Sequence, residues 1–342
     1  MSKEEFLSVL TSERTDRVPF YLFDVTLGME LSGYDTDEIF VNGFDGEKSA
    51  RSLIASYRHF GLDASNGAVM WFDNRVFGND VVFPKKGIPY NSGFALYEPS
   101  NLYELDNSSI PKDLLNQLAL SHEIVSENID GALVNHTPSP LGAASALRGL
   151  QSILMDMLQE PDYVKDILDF CTETTKIVYE RICKDVCIDV CLISGAYDNI
   201  DIVGEGLLEK FSTRPLKDTI GFAKDSGAKA CFHPHGTLSA PGAESTVSGY
   251  QDMGVDCLYY GEYNNPLKIH EYAPNMSLMG GIDTFTTIIL GDDDRVRNDS
   301  KECIERMEEL SYIFSCSCSV DRGLPIDKLD LMRDTVKGFT FS

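Results

Sequence analysis

Two histidines separated by one residue form the strongest chemical motif in this sequence. His233 and His235 flank Pro234 in the segment FHPHG. Residues two apart on a strand point to the same side, so such a pair at a strand end directs both imidazoles to one point. Imidazole nitrogen is a common zinc ligand, and catalytic zinc sites keep one coordination position open. The pair predicts two ligands of a metal site, although polar residues also close strands without binding a metal.

A thiolate is a suitable third ligand, and two cysteines follow a later apolar run. Cys316 and Cys318 both stand at the end of the predicted strand YIFSCS and the residues after it. Either thiolate would complete a His2Cys zinc site with a net charge of about +1. The alternative is that both are small buried apolar side chains, as free cysteines usually are. From the residues alone the choice between them stays open.

Other polar residues at predicted strand ends are candidates for proton transfer or substrate binding. Glu262 is a candidate partner of a ligating histidine, or a direct ligand. Tyr197 and Asp198 are candidates for orienting a substrate or transferring a proton, with an ordinary loop as the alternative. Asp283 is a candidate for the same roles as Glu262 or for capping the next helix, which is the more common role. A turn role is the main expectation for Asp24, with a position in the barrel mouth as the alternative, and a structural role is expected for His136.

The elements that must position these residues follow a regular alternation. From about residue 130 onwards, apolar strand-like runs alternate with amphipathic helical stretches. This alternation predicts βαβ units and a parallel sheet. With 342 residues, we expect an α/β fold, a (β/α)8 TIM barrel formed by one domain spanning residues 1–342. Strands are predicted at residues 18–26, 188–194, 228–233, 255–260, 276–282 and 312–317. Helices are predicted at about residues 160–184 and 207–225.

Two parts of the chain are expected to depart from the barrel pattern. Residues before the first strand predict an N-terminal helical extension, and residues 61–110 predict an irregular insertion. In parallel barrels the functional residues gather at the carboxyl ends of the strands, where all the candidates above lie.

Composition limits the class of protein. The formal net charge of −25 excludes a role on nucleic acid, because phosphates would be repelled. No apolar run is long enough to span a membrane, and the charged N-terminus lacks a signal-peptide core, so we expect a cytoplasmic protein. The nine cysteines then predict reduced thiols, some of them metal ligands.

Several segments together resemble the uroporphyrinogen decarboxylase superfamily over nearly the whole chain. The resemblance rests on the order and spacing of residues 14–19, 145–170, 207–236, 279–284 and 317–336. One branch of that superfamily consists of zinc-dependent methyltransferases that work with corrinoid proteins, including the methylcobamide:coenzyme M methyltransferases. Their zinc motif is usually His-x-Cys followed much later by Cys.

The resemblance implies that His233, His235 and Cys318 are the zinc ligands. The late cysteine aligns through Cys318-Ser-Val and Pro325, which match the Cys-Gly-Val and following proline of the family, with Cys316 as the fallback. His235 replaces the usual middle cysteine, which makes the site less anionic and the zinc a stronger Lewis acid. That change favours polarising the oxygen of a methyl donor over activating a thiol.

The resulting hypothesis is transfer of a methyl group from a methyl ether or methanol-like substrate to the Co(I) corrinoid of a partner protein. A corrinoid-binding DxHxxG segment is absent, so the corrinoid must come with that partner. Transfer from a methyl-corrinoid to a thiol, porphyrinogen decarboxylation and non-catalytic binding of a corrinoid protein are the alternatives. Decarboxylation is disfavoured because residues 20–30 hold no arginine for a multiply carboxylated substrate. The candidates for an aromatic substrate pocket, with core packing as the alternative, are Phe20, Phe23, Trp71 and Phe72.

Overall fold

The centre of the fold is a curled sheet of seven parallel strands. A computed structural model describes residues 2–69 and 74–339. The strands are β1 (Ala64–Asn66), β2 (Val81–Val82), β3 (Tyr90–Asn91), β4 (Ala132–Pro138), β5 (Val190–Gly195), β6 (Lys229–Pro234), β7 (Cys257–Tyr260), β8 (Ser277–Ile282) and β9 (Tyr312–Cys316). The sheet order is β1-β4-β5-β6-β7-β8-β9, and β2 pairs antiparallel with β3 apart from it. Neighbours in the sheet follow one another along the chain, as in a TIM-barrel-like α/β fold.

Helices occupy most of the connections between the sheet strands. They are α1 (Lys3–Val9), α2 (Leu27–Ser32), α3 (Thr36–Phe40), α4 (Gly46–Phe60), α5 (Lys112–Asn128), α6 (Pro140–Arg148), α7 (Leu150–Gln159), α8 (Pro161–Cys183), α9 (Ile200–Val203), α10 (Glu205–Phe211), α11 (Thr213–Asp225), α12 (Glu244–Asp252), α13 (Pro266–Tyr272), α14 (Asp293–Arg306) and α15 (Ile326–Lys337). A π-helix, Thr284–Ile289, follows β8. Right-handed crossovers through such helices are what allow neighbouring strands to run parallel.

The N-terminal apolar segment lies between the two edges of the sheet. Phe20 forms an isolated parallel bridge with Phe314 of β9, and its carbonyl accepts a hydrogen bond from the Asp63 amide at 2.9 Å. Its own amide, however, donates to the Asp63 carboxylate at 2.8 Å. Because the Asp63 carboxylate accepts from the Phe20 amide, that amide cannot pair with a neighbouring strand. The predicted strand 18–26 is therefore present as two isolated bridges, at Phe20 and Asp24, and not as a continuous strand.

Strand residues alternate between two apolar cores. One set, including Val134, Leu192, Tyr259 and Ile313, packs inside the curl, while the other set packs against the helices. Phe6, Val9 and Leu10, from α1 and its end, join the inner core, and the Ser277 hydroxyl at the start of β8 donates to the Val9 carbonyl. The predicted N-terminal helix therefore covers the amino ends of the strands, and the carboxyl ends are left for the site.

The predicted insertion begins later than expected. Residues 64–66 are strand β1, which pairs with β4, whereas residues 74–110 hold three short 3-10 helices and the β2–β3 pair. Ala64, Ser65 and Asn66 carry no apolar alternation, so only their pairing with β4 makes them a strand. Among the described residues, no helix is long and apolar enough to cross a membrane.

Candidate metal centre

The end of β6 places both histidines at the carboxyl end of the sheet. His233 is the fifth residue of β6 and only 1% exposed, on the inward side of the strand. Pro234 ends the strand, since it has no amide to donate to a further neighbour. Gly236 has φ +100°, and a Cβ there would lie 2.7 Å from the Asn199 side chain. Glycine thus permits the turn that holds His235 beside His233.

The third member of the cluster is Cys318, in the segment after β9. Its Sγ lies 3.4 Å from His233 Nε2 and 3.8 Å from His235 Nε2, and the two nitrogens are 3.2 Å apart. Zinc bonds of ~2.0 Å to nitrogen and ~2.3 Å to sulfur, at tetrahedral angles, would separate nitrogens by ~3.3 Å and nitrogen from sulfur by ~3.5 Å. The three atoms therefore fit the edges of one zinc coordination tetrahedron.

Hydrogen bonding selects the metal-binding nitrogen of His233. Its Nδ1 lies 2.8 Å from the Tyr259 carbonyl oxygen, which can only accept, so Nδ1 carries the proton and Nε2 keeps its lone pair. Burial lowers the pKa of His233 to about 4, against smaller opposing effects of that carbonyl and of Glu262. The imidazole is neutral near pH 7, as a metal ligand must be.

The structure separates the two candidate cysteines. Cys316 is fully buried in the core between the sheet and the helices, where burial raises the pKa of its thiol to about 12. Cys318 is partly exposed, and its sulfur faces the two histidines. The ligand atoms of His233, His235 and Cys318 all lie within 4.8 Å of one another. This geometry favours Cys318, the cysteine that the family pattern indicated.

The other predicted site residues lie at different depths. Glu262 is exposed and close enough to His233 to raise the pKa of the His233 imidazole. Tyr197 is exposed on the loop after β5. Asp198 is buried, and its carboxylate accepts hydrogen bonds from Ser139 and Ser212. Glu262 thus faces solvent near His233, Tyr197 faces solvent on the loop after β5, and Asp198 links that loop to two neighbouring segments. Catalytic roles for the three stay predictions.

Capping roles are found for two of the remaining acids. Asp283 Oδ1 accepts from the amides of Phe285 and Thr286, both at 2.9 Å, and caps the π-helix. Asp24 accepts from the Gly28 amide at 3.0 Å, at the start of α2. The sequence favours capping for Asp283, because carboxylates commonly satisfy the free amides at a helix start. For Asp24 it predicts a turn role, and the structure shows its carboxylate bound to an amide at the start of α2 instead.

Aromatic residues line the inner core beside the cluster. Phe23 contacts His233 edge-on at 6.3 Å and stacks on His136 at 5.3 Å between ring centroids. His136 Nε2 is buried without a hydrogen-bond partner among the described residues, and burial lowers the pKa of this ring to about 3. Phe20 packs in the outer core, while Trp71 and Phe72 lie outside the described residues. The predicted aromatic surroundings are therefore supplied in part by Phe23.

Large apolar side chains are exposed on the loops that follow the strands. They belong to the segments after β5, β7 and β8, and the most exposed is Tyr263, at 80%. The others are Ile202, Leu267, Phe285, Ile289 and Leu290. Several exposed apolar side chains near the carboxyl ends of the strands are consistent with a surface that contacts another molecule.

An unusual acid lies three residues beyond Cys318. Asp321 is largely buried, and its Oδ1 has no hydrogen-bond partner in the part of the chain that the structure describes. Burial raises the pKa of Asp321 from 3.8 to about 6. Burial also raises the pKa of Asp24 to about 6, with a smaller contribution from the nearby Asp321 carboxylate.

Replacing Asp321 with asparagine is expected to make stability less dependent on pH. A carboxyl whose pKa is raised by folding binds its proton more tightly in the folded state, so stability falls as pH rises from about 4 to about 6. At pH 8, Asp321→Asn should therefore raise the free energy of unfolding by on the order of 2 kcal/mol. Denaturant titrations at pH 8 and pH 4.5 test this; an equal difference at both pH values would contradict it.

Comparisons with known proteins agree with this architecture. The profile of the uroporphyrinogen decarboxylase (URO-D) family matches residues 1–339. The solved structure of a methyltransferase from Methanosarcina mazei is similar with a TM-score of 0.81, covering 98% of this chain and 97% of that chain at 19% identity. At this identity the likeness concerns the fold, and no curated protein matches the sequence. Because the family profile covers nearly the whole chain, this protein belongs to the uroporphyrinogen decarboxylase family.

Proposed function

We propose that this protein is a zinc-dependent methyltransferase that transfers a methyl group from a methyl ether or methanol-like substrate to the Co(I) corrinoid of a partner protein. The observation that carries the proposal is the convergence of His233, His235 and Cys318 at the carboxyl ends of the strands. The similarity in fold to a methyltransferase supports it. We further propose a single domain, in which residues 19–25 supply the eighth member of a (β/α)8 barrel.

The ligand set determines what kind of chemistry the site would favour. Zinc bound by two neutral imidazoles and one thiolate would have a net charge of about +1 and supply a Lewis acid for an oxygen of the substrate. A second thiolate in place of His235 would lower that charge. The chain's contribution is a rigid cluster, since His233 is buried and hydrogen-bonded before any metal binds.

The reaction requires a proton as well as a methyl acceptor. The methyl–oxygen bond of the donor breaks, a methyl–cobalt bond forms on the corrinoid, and the leaving oxygen takes up a proton. We propose that the proton comes from solvent and that Glu262 relays it, since this side chain is exposed and near enough to His233 to raise the pKa of that imidazole. Tyr197 is proposed to orient the substrate, and Asp198 to hold the loop that carries Tyr197 through its bonds to Ser139 and Ser212.

The surroundings of the cluster suit a small donor and a large partner. Phe23 and Tyr259 pack the inner core beside the cluster with apolar, aromatic surface, which would disfavour a charged substrate there. The exposed apolar side chains around the strand ends would contact the corrinoid protein.

Spectroscopy of the corrinoid tests the proposal directly. The zinc-loaded protein is mixed with free cob(I)alamin, as a substitute for the partner's corrinoid, and with methanol or one of several methyl ethers. We expect the Co(I) absorbance to be replaced by that of methylcobalamin with at least one donor, and only when zinc is present. Protein treated with a chelator is the matched control.

Two further assays separate the alternatives. Demethylation of methylcobalamin by thiols, without activity towards oxygen donors, would assign the opposite half-reaction to this chain. Metal-independent decarboxylation of a porphyrinogen would overturn the proposal. Tight zinc binding and corrinoid-protein binding without any methyl transfer would identify a binding module.

A further inference from the structure

One buried tyrosine contacts both halves of the metal cluster. Tyr259 lies in β7 with none of its surface exposed, and its ring packs on the His233 imidazole with 4.2 Å between centroids. Its carbonyl oxygen accepts the His233 Nδ1 proton at 2.8 Å. Thus the backbone and the ring of Tyr259 both constrain the first histidine.

The hydroxyl of the same residue reaches the segment that carries the cysteine. Tyr259 Oη lies 2.8 Å from the Cys316 carbonyl oxygen and 3.1 Å from the Cys318 carbonyl oxygen. It also lies 3.0 Å from the Ser315 hydroxyl. Because carbonyls only accept, the tyrosine proton points to them, and Ser315 is left as donor to Tyr259 Oη.

These contacts span a large distance along the chain. His233 and Cys318 are 85 residues apart. Strand β6, which holds His233, and strand β9, which precedes Cys318, are not neighbours in the sheet. Strand β7 lies beside β6, and β8 separates it from β9. A tyrosine side chain is long enough to cross that gap inside the curl, whereas a backbone hydrogen bond is not.

We propose that Tyr259 is a positioning residue that sets the separation between the His233 nitrogen and the Cys318 sulfur. The inference rests on the proposed zinc site. The backbone carbonyl of Tyr259 orients the His233 imidazole, and the Tyr259 hydroxyl holds the segment that carries Cys318 against β7. Partners of metal ligands typically affect metal affinity by about 10- to 100-fold.

The variant Tyr259→Phe isolates the hydroxyl. It keeps the carbonyl and the ring contact with His233 and removes the hydroxyl's contacts with the Cys316 and Cys318 carbonyls and with Ser315. The matched control is Tyr179→Phe, which removes another hydroxyl, bonded to Ser226 at 2.8 Å, in the core between the sheet and the helices. Each variant removes a buried hydroxyl that is hydrogen-bonded, so both should lose some stability.

The measurements are zinc affinity by chelator competition and the absorption spectrum of the Co(II)-substituted protein. For Tyr259→Phe we expect about 10-fold or greater weakening of zinc binding and a weaker or shifted thiolate-to-Co(II) band. Tyr179→Phe should match the wild type in both. Unchanged affinity and spectrum in Tyr259→Phe would overturn the proposal, since a purely structural hydroxyl would change stability alone.

Zinc binding by the wild-type protein distinguishes failure of the proposed function from failure of the positioning role. If wild-type protein binds no zinc, the proposed function fails before the role of Tyr259 is reached. If it binds zinc and Tyr259→Phe is unaltered, only the positioning role fails. Should Tyr259→Phe not fold alone, it is refolded with excess Co(II): a weaker or shifted thiolate-to-Co(II) band supports the proposal, and the wild-type band contradicts it.

Discussion

Alanine in place of His233, His235 or Cys318 is expected to abolish zinc binding and methyl transfer. Two protein ligands cannot hold catalytic zinc as three do, so the metal content should fall from about one per chain to near zero. A Lewis acid contributes several kcal/mol to transition-state stabilisation, so activity should fall at least about a thousandfold. Metal analysis and the cobalamin assay on each variant provide the measurements.

The second cysteine supplies the matched control for this result. Cys316→Ala removes a thiol two residues away that faces the helices and not the cluster. It should lose some core packing but retain zinc and activity. Loss of zinc in Cys316→Ala together with its retention in Cys318→Ala would show that the wrong cysteine has been assigned.

Removal of the Arg148 side chain is expected to be the most destabilising of the proposed substitutions. Its Nε donates to Asp156 at 2.8 Å, and its Nη1 donates to the carbonyls of Leu96 and Tyr97 at 2.7 and 2.5 Å. The side chains of the ion pair are only 12% and 11% exposed. Arg148→Ala leaves Asp156 as a buried, uncompensated charge, so we expect a loss of about 3–5 kcal/mol in denaturant unfolding.

An exposed ion pair gives the comparison. Arg214 also pairs with an aspartate, Asp169, but the two side chains are 70% and 51% exposed. Arg214→Ala should therefore cost less than about 1 kcal/mol. The double variant Arg148→Ala/Asp156→Ala should recover part of the loss, because it removes the uncompensated charge. Equal losses in Arg148→Ala and Arg214→Ala would contradict the importance of burial.

Local sequence patterns were sufficient for the elements that carry the site. The predicted strand 228–233 corresponds to Lys229–Pro234, and the predicted helix at 160–184 corresponds to Pro161–Cys183. One predicted helix is divided: residues 207–225 form α10 and α11. Pro215 has no amide for the Phe211 carbonyl, and the helix is interrupted at Ser212.

By itself the sequence determined that strands alternate with helices and that His233 and His235 share one side of a strand end. These properties follow from residue periodicity and turn chemistry, which act over a few residues. Only the tertiary structure decided that Cys318 faces the histidines, that Asp198 is buried, and that Tyr259 touches both ends of the cluster. Such contacts join residues far apart in the chain, and they depend on strand register and on the curl of the sheet, which no local pattern encodes.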